Sequence, residues 1–135
     1  MNGISRRNFV KNSALAAGTI GVVNIAEAKT FKELFVHHVY FYLKNPDSET
    51  DKAKLLEGLE KLSKVPTIRM VHIGVPATTT RSVIVRDYSV SWLCFFDNLD
   101  EEEIYQKHPI HLKFVEDYAH LWEKVNVYDS IGPKR

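Results

Sequence analysis

The chain predicts an α+β domain with the element order β-α-β-β-α-β. This is the ferredoxin-like plan, a four-stranded antiparallel sheet with both helices on one face. Three observations carry the prediction. Residues 34–44 are dense in aromatic and β-branched side chains, as a strand requires. Two segments, one after Ser48 and one after Pro109, repeat apolar residues at helical spacing. The remaining strand-like stretches fall as two between those helices and one after them, an order with few alternatives in a small domain.

Leu34 to Lys44 is the first strand, and Asn45-Pro46-Asp47 ends it. Asp47 or Ser48 caps the next helix, which has acidic residues in its first turn and Leu55, Leu56, Leu59 and Leu62 along one side. Gly58 weakens this helix slightly, and Val65-Pro66 closes it. Thr67 to Val75 reads as the second strand, Pro76 to Arg86 as a polar loop and Asp87 to Phe96 as the third strand. Asp97-Asn98 turns the chain into a short acidic helix from Leu99 to Lys107. Pro109 suits the first turn of a helix, where its missing N–H costs nothing. That helix is expected to run to about Lys124, with His111, Phe114, Val115, Tyr118 and Trp122 on one face. Val125 to Ile131 is the closing strand.

In the first strand Phe35, His37, Val39, Phe41 and Leu43 alternate with Val36, His38, Tyr40, Tyr42 and Lys44. The first set is the more apolar and is assigned to the helices. The second set is still too aromatic for a solvated face, and the third strand repeats the pattern with Trp92 and Phe96 against Leu93 and Phe95. A second copy packed sheet to sheet would cover that face, so the expected assembly is a homodimer closing an α/β barrel across a two-fold axis.

Residues 1–28 read as an export signal of the twin-arginine type. Arg6-Arg7-Asn8-Phe9-Val10-Lys11 precedes a weakly apolar stretch rich in Ala and Gly, and Ala26-Glu27-Ala28 is a small-x-small cleavage site. The expected mature domain spans residues 29–135 and is periplasmic or otherwise exported. Removing Arg6, Arg7, Lys11 and Glu27 from 18 basic and 17 acidic residues leaves a net charge of −1. Nothing in that balance favours nucleic acid. The apolar stretch of the signal is too short to remain as a stable membrane span after cleavage. Cys94, the single cysteine, sits in Trp92-Leu93-Cys94-Phe95-Phe96 and is expected to be buried.

The residues able to do chemistry gather around one short run, Tyr105 to His111. His111 heads the apolar face of its helix, and His37 points to the same interior from the first strand. A pocket between sheet and helices would hold His37, Tyr105, His108 and His111, walled by Val39, Phe41, Phe114 and Trp122. A neutral imidazole in apolar surroundings is free to accept a proton, and a nearby phenol can donate to an oxygen that becomes negative. Together these abstract a proton next to a carbonyl and hold the enolate. A core histidine bonded to a backbone carbonyl has the same sequence signature, so His111 is open to both readings. The spacing of His108 and His111 would let both reach one ion, but no third ligand is evident and no metal or cofactor is expected. No Gly-rich phosphate loop and no serine on a Gly-flanked elbow occurs.

Tyr105-x-x-His108-Pro109-x-His111-x-x-Phe114, followed by Trp122-Glu123-Lys124 and a closing strand with Asp129, resembles the stress-responsive dimeric α/β-barrel (Dabb) family. The resemblance covers about Val36 to Ile131. It implies a ferredoxin-like protomer and a dimer with a central barrel. Similarity over the same motif to a plant polyketide cyclase of that family implies His111 as base and Tyr105 as its assistant. It also implies a pocket-lining histidine in the first strand, and of the pair His37-His38 the match counted back from Lys44 is His37. The implied function is an exported cyclase- or lyase-type enzyme for a small apolar or aromatic carbonyl compound. The alternatives are a non-catalytic, stress-responsive small-molecule-binding protein with the same pocket and a cofactor-dependent monooxygenase, since related dimeric α/β barrels include haem-handling and quinol-forming monooxygenases.

Overall fold

The computed structural model describes residues 33–133. The expected signal, residues 1–28, lies outside the described residues. The elements are β1 (Leu34–Leu43), α1 (Glu49–Leu62), β2 (Met70–Gly74), β3 (Val90–Phe96), α2 (Leu99–Lys107), α3 (Pro109–Tyr118), a 3-10 turn (Ala119–Leu121) and β4 (Trp122–Gly132). The sheet order is β2-β3-β1-β4, and every neighbouring pair is antiparallel. This is the ferredoxin-like fold with its helices on one face.

Local chemistry explains the helix boundaries. Ser48 caps α1 by accepting the Asp51 N–H at 3.1 Å, and Asn98 caps α2 by accepting the Glu101 N–H at 2.9 Å. Leu55, Leu59 and Leu62 of α1 bury themselves against Val90, Trp92, Cys94 and Phe96 of β3 and Phe35, Val39 and Phe41 of β1. Each such leucine contributes about 1.5–3 kcal/mol by leaving water.

Four expectations are corrected. β2 begins at Met70 rather than Thr67, because Ile68 N–H turns back to the Val65 carbonyl at 3.2 Å. β3 begins at Val90 rather than Asp87, whose carboxylate accepts from the Tyr42 hydroxyl at 3.0 Å. α3 ends at Tyr118 rather than near Lys124. Trp122 has an extended backbone and pairs with Leu43, while Lys44 N–H takes the Leu121 carbonyl at 2.9 Å. Trp122 is therefore a strand residue, and its ladder partner, not helical period, sets its direction. Val115 is 40% exposed. It lies about 100° of helical rotation past Phe114, off the stripe that faces the core.

Ladder register fixes which side chains share a face. Val36, His38, Tyr40 and Tyr42 of β1 stand with Leu93 and Phe95 of β3, Met70 and His72 of β2, and Tyr128 of β4 on the face away from the helices. With the 76–89 loop they shape a concavity of about 470 Å³, lined by His38, Tyr40, Tyr88 and Tyr128 among others. Tyr40 packs edge-on against Tyr88 at 4.8 Å and Tyr128 at 5.9 Å.

Candidate functional site

Pro109 creates the site's geometry. Its ring excludes the helical conformation for His108, which sits at φ −67°, ψ 140° and separates α2 from α3. The His108 ring then turns back, and its Nδ1 accepts the Ile110 N–H at 3.0 Å as the cap of α3. The break at His108 lets the last turn of α2 and the first turn of α3 aim side chains at one point. Tyr105 and His111 meet there with ring centroids 4.7 Å apart.

From the sheet, His37 enters the same place. Its ring lies 5.6 Å from Tyr105 in an edge-on contact, and Phe96 packs on Tyr105 at 5.1 Å. His37 is buried, and its Nδ1 donates to Asp129 Oδ1 at 2.7 Å. The carboxylate only accepts, so Nδ1 carries the proton in this contact. His38, its neighbour, points to the opposite face and meets Tyr40, with 3.3 Å between Nδ1 and the hydroxyl.

Tyr105 is 1% exposed. Burial pushes its phenol far up from the ordinary range, with the nearby Cys94 adding in the same direction. It therefore holds its proton and is able to donate it to a hydrogen bond. The His111 pKa is lowered, chiefly by burial, and His37 pushes it the same way, while the backbone of Gln106 pushes it up. His111 Nδ1 is buried with no hydrogen-bond partner. A buried imidazole nitrogen left open is the atom a proton acceptor needs, and buried polar atoms are rarely left so.

The expected pocket residues thus divide into two groups. His37, Tyr105 and His111 form one continuous line of rings. Phe41, Phe114 and Trp122 form a second cluster, with Phe41 at 6.2 Å from Phe114 and 4.8 Å from Trp122, and Phe114 stacked on Trp122 at 5.7 Å. Val39 is buried in the sheet between Trp92 and Val127. His108 serves as the helix cap.

Two residues join the site that periodicity did not single out. Asp129 holds His37, and alternation in β4 would have placed it on the helix side had the β1–β4 register been known. Trp92 is buried on the helix side of β3 with its indole N–H beside the Tyr105 hydroxyl and the Cys94 thiol, where it opposes the upward push that burial gives both groups. No local sequence signal marks that donor. Cys94 is fully buried, and burial pushes its thiol far up, so it is inert. Among the described residues, no group of three or more His, Cys, Asp or Glu side chains converges as a metal shell would. No described helix is long and apolar enough to cross a membrane.

Several solved structures share this architecture. A Dabb family protein with a ferredoxin-like fold from Mesorhizobium loti superposes with a TM-score of 0.64 at 21% identity, covering 76% of this chain and 100% of its own. The hydroxynitrile lyase of Passiflora edulis gives 0.63 at 17% identity over 78% of this chain and 98% of its own. A dimeric protein of unknown function from Bacteroides fragilis gives 0.59 at 20% identity over 76% and 100%. These likenesses establish the fold. No curated protein matches the chain. The family model for the Stress responsive A/B Barrel Domain matches residues 35–131, most of the chain and every element from β1 to β4, and the protein belongs to that family, Dabb.

Proposed function

We propose that this protein is an exported homodimeric enzyme of the lyase or cyclase type. It removes a proton next to the carbonyl of a small, partly apolar substrate. The observation that carries the reading is the buried, unpartnered Nδ1 of His111 beside the Tyr105 phenol. At neutral pH His111 is uncharged and takes the proton from carbon. The C–H electron pair becomes the carbon–carbon double bond of an enolate, the carbonyl π pair moves onto oxygen, and that oxygen, now negative, receives a hydrogen bond from the Tyr105 O–H. The imidazolium then returns its proton to the rearranged product. His37, held by Asp129, fixes the Tyr105 ring from the other side.

The Passiflora edulis relative is a lyase on the same fold, which supports the reaction class. The dimeric state of the Bacteroides fragilis relative supports a homodimer, and the exposure of Tyr128 on the apolar sheet face supports pairing through that face. Residues 1–28 supply the export signal, and the mature protein begins at Lys29. Mass spectrometry of the protein from its native host checks this directly.

The test of the chemistry is deuterium exchange. The protein is incubated in heavy water with a panel of small aryl ketones and β-keto acids, and loss of the α-proton signal is followed by NMR. The wild type exchanges at least one member. His111→Ala slows that exchange by about 10²–10⁴-fold, and Tyr105→Phe by about 10²–10³-fold. Absence of exchange across the panel, or an unchanged rate in His111→Ala, overturns the reading. A second reading is a protein that holds a small molecule through the same residues without turning it over, favoured by the unpartnered, buried Nδ1 of His111, which can equally receive a ligand's hydrogen bond. In that case compounds of the panel bind, binding is lost in His111→Ala, and no proton exchanges.

A further inference from the structure

The largest concavity among those described lies elsewhere. It is a groove of about 670 Å³ between α1 and α3 on the outer, helical side of the protein. No strand residue lines it, nor do His37, Tyr105 or His111. Its apolar lining is Ile110, Phe114 and Tyr118, and the Tyr118 ring lies directly against Gly58 of α1. The volume is in the range of sites that enclose small molecules.

The rim is charged and unequal. Lys61, Lys64 and Lys113 face Glu60 and Asp117, an excess of one positive charge. Two of the cations are occupied. Lys113 Nζ donates to Asp117 at 3.0 Å, and Lys61 Nζ donates to the Tyr118 hydroxyl at 3.1 Å. The Lys64 ammonium makes no hydrogen bond or ion pair with any described residue, its backbone N–H alone being engaged, by the Lys61 carbonyl at 3.1 Å. An apolar trough with one uncommitted ammonium at its edge matches a molecule with an apolar tail and one negative head. A cationic amphiphile would meet the surplus charge, and a second copy of the chain would bring its own lysines against these. A nucleic acid would meet Glu60 and Asp117 with too few cations to offset them.

We propose that the α1–α3 groove binds a single-chain amphipathic carboxylate, such as a free medium-chain fatty acid. Its tail lies along Ile110, Phe114 and Tyr118, and its carboxylate meets Lys64. Each CH₂ added to the tail tightens binding by up to about fourfold until the trough is filled.

The experiment is an NMR titration of the ¹⁵N-labelled full chain with dodecanoate below its micelle concentration, beside dodecyltrimethylammonium as the cationic counterpart. Amide shifts are expected within residues 58–64 and 109–118. Dodecanoate is expected to bind about tenfold or more tightly than the cation, and octanoate more weakly than dodecanoate. Lys64→Glu is expected to weaken dodecanoate by about tenfold, Lys64→Gln by less, and Lys107→Glu, outside the groove, not at all. Equal affinity for anion and cation overturns the proposal. So do shifts that centre on Leu93 and Tyr128 or on His37, and so does an unchanged affinity in both Lys64 variants.

Discussion

Asp129 and His37 meet across the β1–β4 ladder, where they are direct register partners, with Oδ1 and Nδ1 2.7 Å apart. His37 is buried while the Asp129 side chain remains 43% exposed. The carboxylate thus reaches in from a wet edge to satisfy a ring that cannot leave the core. Asp129→Ala strands the His37 N–H in that core and is expected to cost about 1–3 kcal/mol, read as a lower urea midpoint. Asp129→Asn, whose amide oxygen still accepts, is expected to lose less. The ¹⁵N shifts of the His37 ring report the change directly. In the wild type the proton sits on Nδ1, and in Asp129→Ala it redistributes to Nε2. An unchanged ring spectrum in the alanine variant would mean that the carboxylate does not hold the tautomer.

Burial of His111 ties stability to pH. Its pKa in the folded protein is lowered from the ordinary 6.5, chiefly by burial. The unfolded chain therefore takes up a proton before the folded one does. Stability is full above about pH 6.5 and is lost as pH falls from there towards the folded value. His38 acts in the same direction, its pKa lowered first by burial and then by the charges of His72 and His37. Asp97 does not confuse the window. Its pKa is lowered, chiefly by the hydrogen bond from Arg69, so its contribution is lost only at more acid pH. Urea midpoints at pH 7.5, 6.5 and 5.5 are expected to fall in that order for the wild type. His111→Gln is expected to show a shallower fall, and His111→Gln with His38→Gln a shallower one still. A slope unchanged in the double variant would place the titrating groups elsewhere.

Much of this site is legible in the sequence. Asn98 and Pro109 are strong local signals and bound α2 at Leu99 and Lys107. Alternation in β1 places His37 inside and His38 outside, since a strand's two faces are set by parity alone. Trp122 reads as helical because it falls four residues after Tyr118, a helical interval, and no glycine or proline marks the end of α3. What ends that helix is the pairing of Trp122 with Leu43, a contact 79 positions distant in sequence. Asp129 was silent for a related reason. An acid in an edge strand reads as a surface residue until the register sets it opposite His37. The place of the Trp92 N–H beside Tyr105 and Cys94 depends on where the Tyr105 ring comes to rest, which only packing decides.

Gly58 and Tyr118 approach more closely than any other side chain would allow. A Cβ at Gly58 would lie 2.8 Å from the Tyr118 ring and 2.9 Å from its Cγ. The ring is also stacked on Phe114 at 5.5 Å and bound through its hydroxyl to Lys61. Gly58→Ala would ordinarily stabilise a helix interior by about 1 kcal/mol. Here it must push the ring off Phe114, and the net result expected is destabilisation by about 1 kcal/mol. In a Tyr118→Ala background the obstacle is gone, and the same substitution is expected to stabilise by up to about 1 kcal/mol. Thermal or urea denaturation of the four proteins gives the sign in each background. The same sign in both would show that the ring is not what keeps glycine at this position.

The face away from the helices yields a test of assembly that is independent of the chemistry. Leu93 lies at its centre on β3, between His72 of β2 and His38 of β1, and Tyr128 of β4 completes the row. Tyr128 is 63% exposed and Met70 51%, so the isolated protomer presents a broad aromatic and aliphatic surface to water, as monomeric domains seldom do. A sheet-to-sheet homodimer would cover it. Leu93→Lys with Tyr128→Lys places two ammonium groups per protomer on that surface, and a two-fold axis doubles them, which an apolar interface cannot accommodate. Both side chains point away from the core packed against α1, so the protomer should keep its far-ultraviolet circular dichroism. Light scattering is expected to give twice the protomer mass for the wild type and the single mass for the double variant. A monomeric wild type, or a variant that remains dimeric, would assign the apolar face to some other occupant.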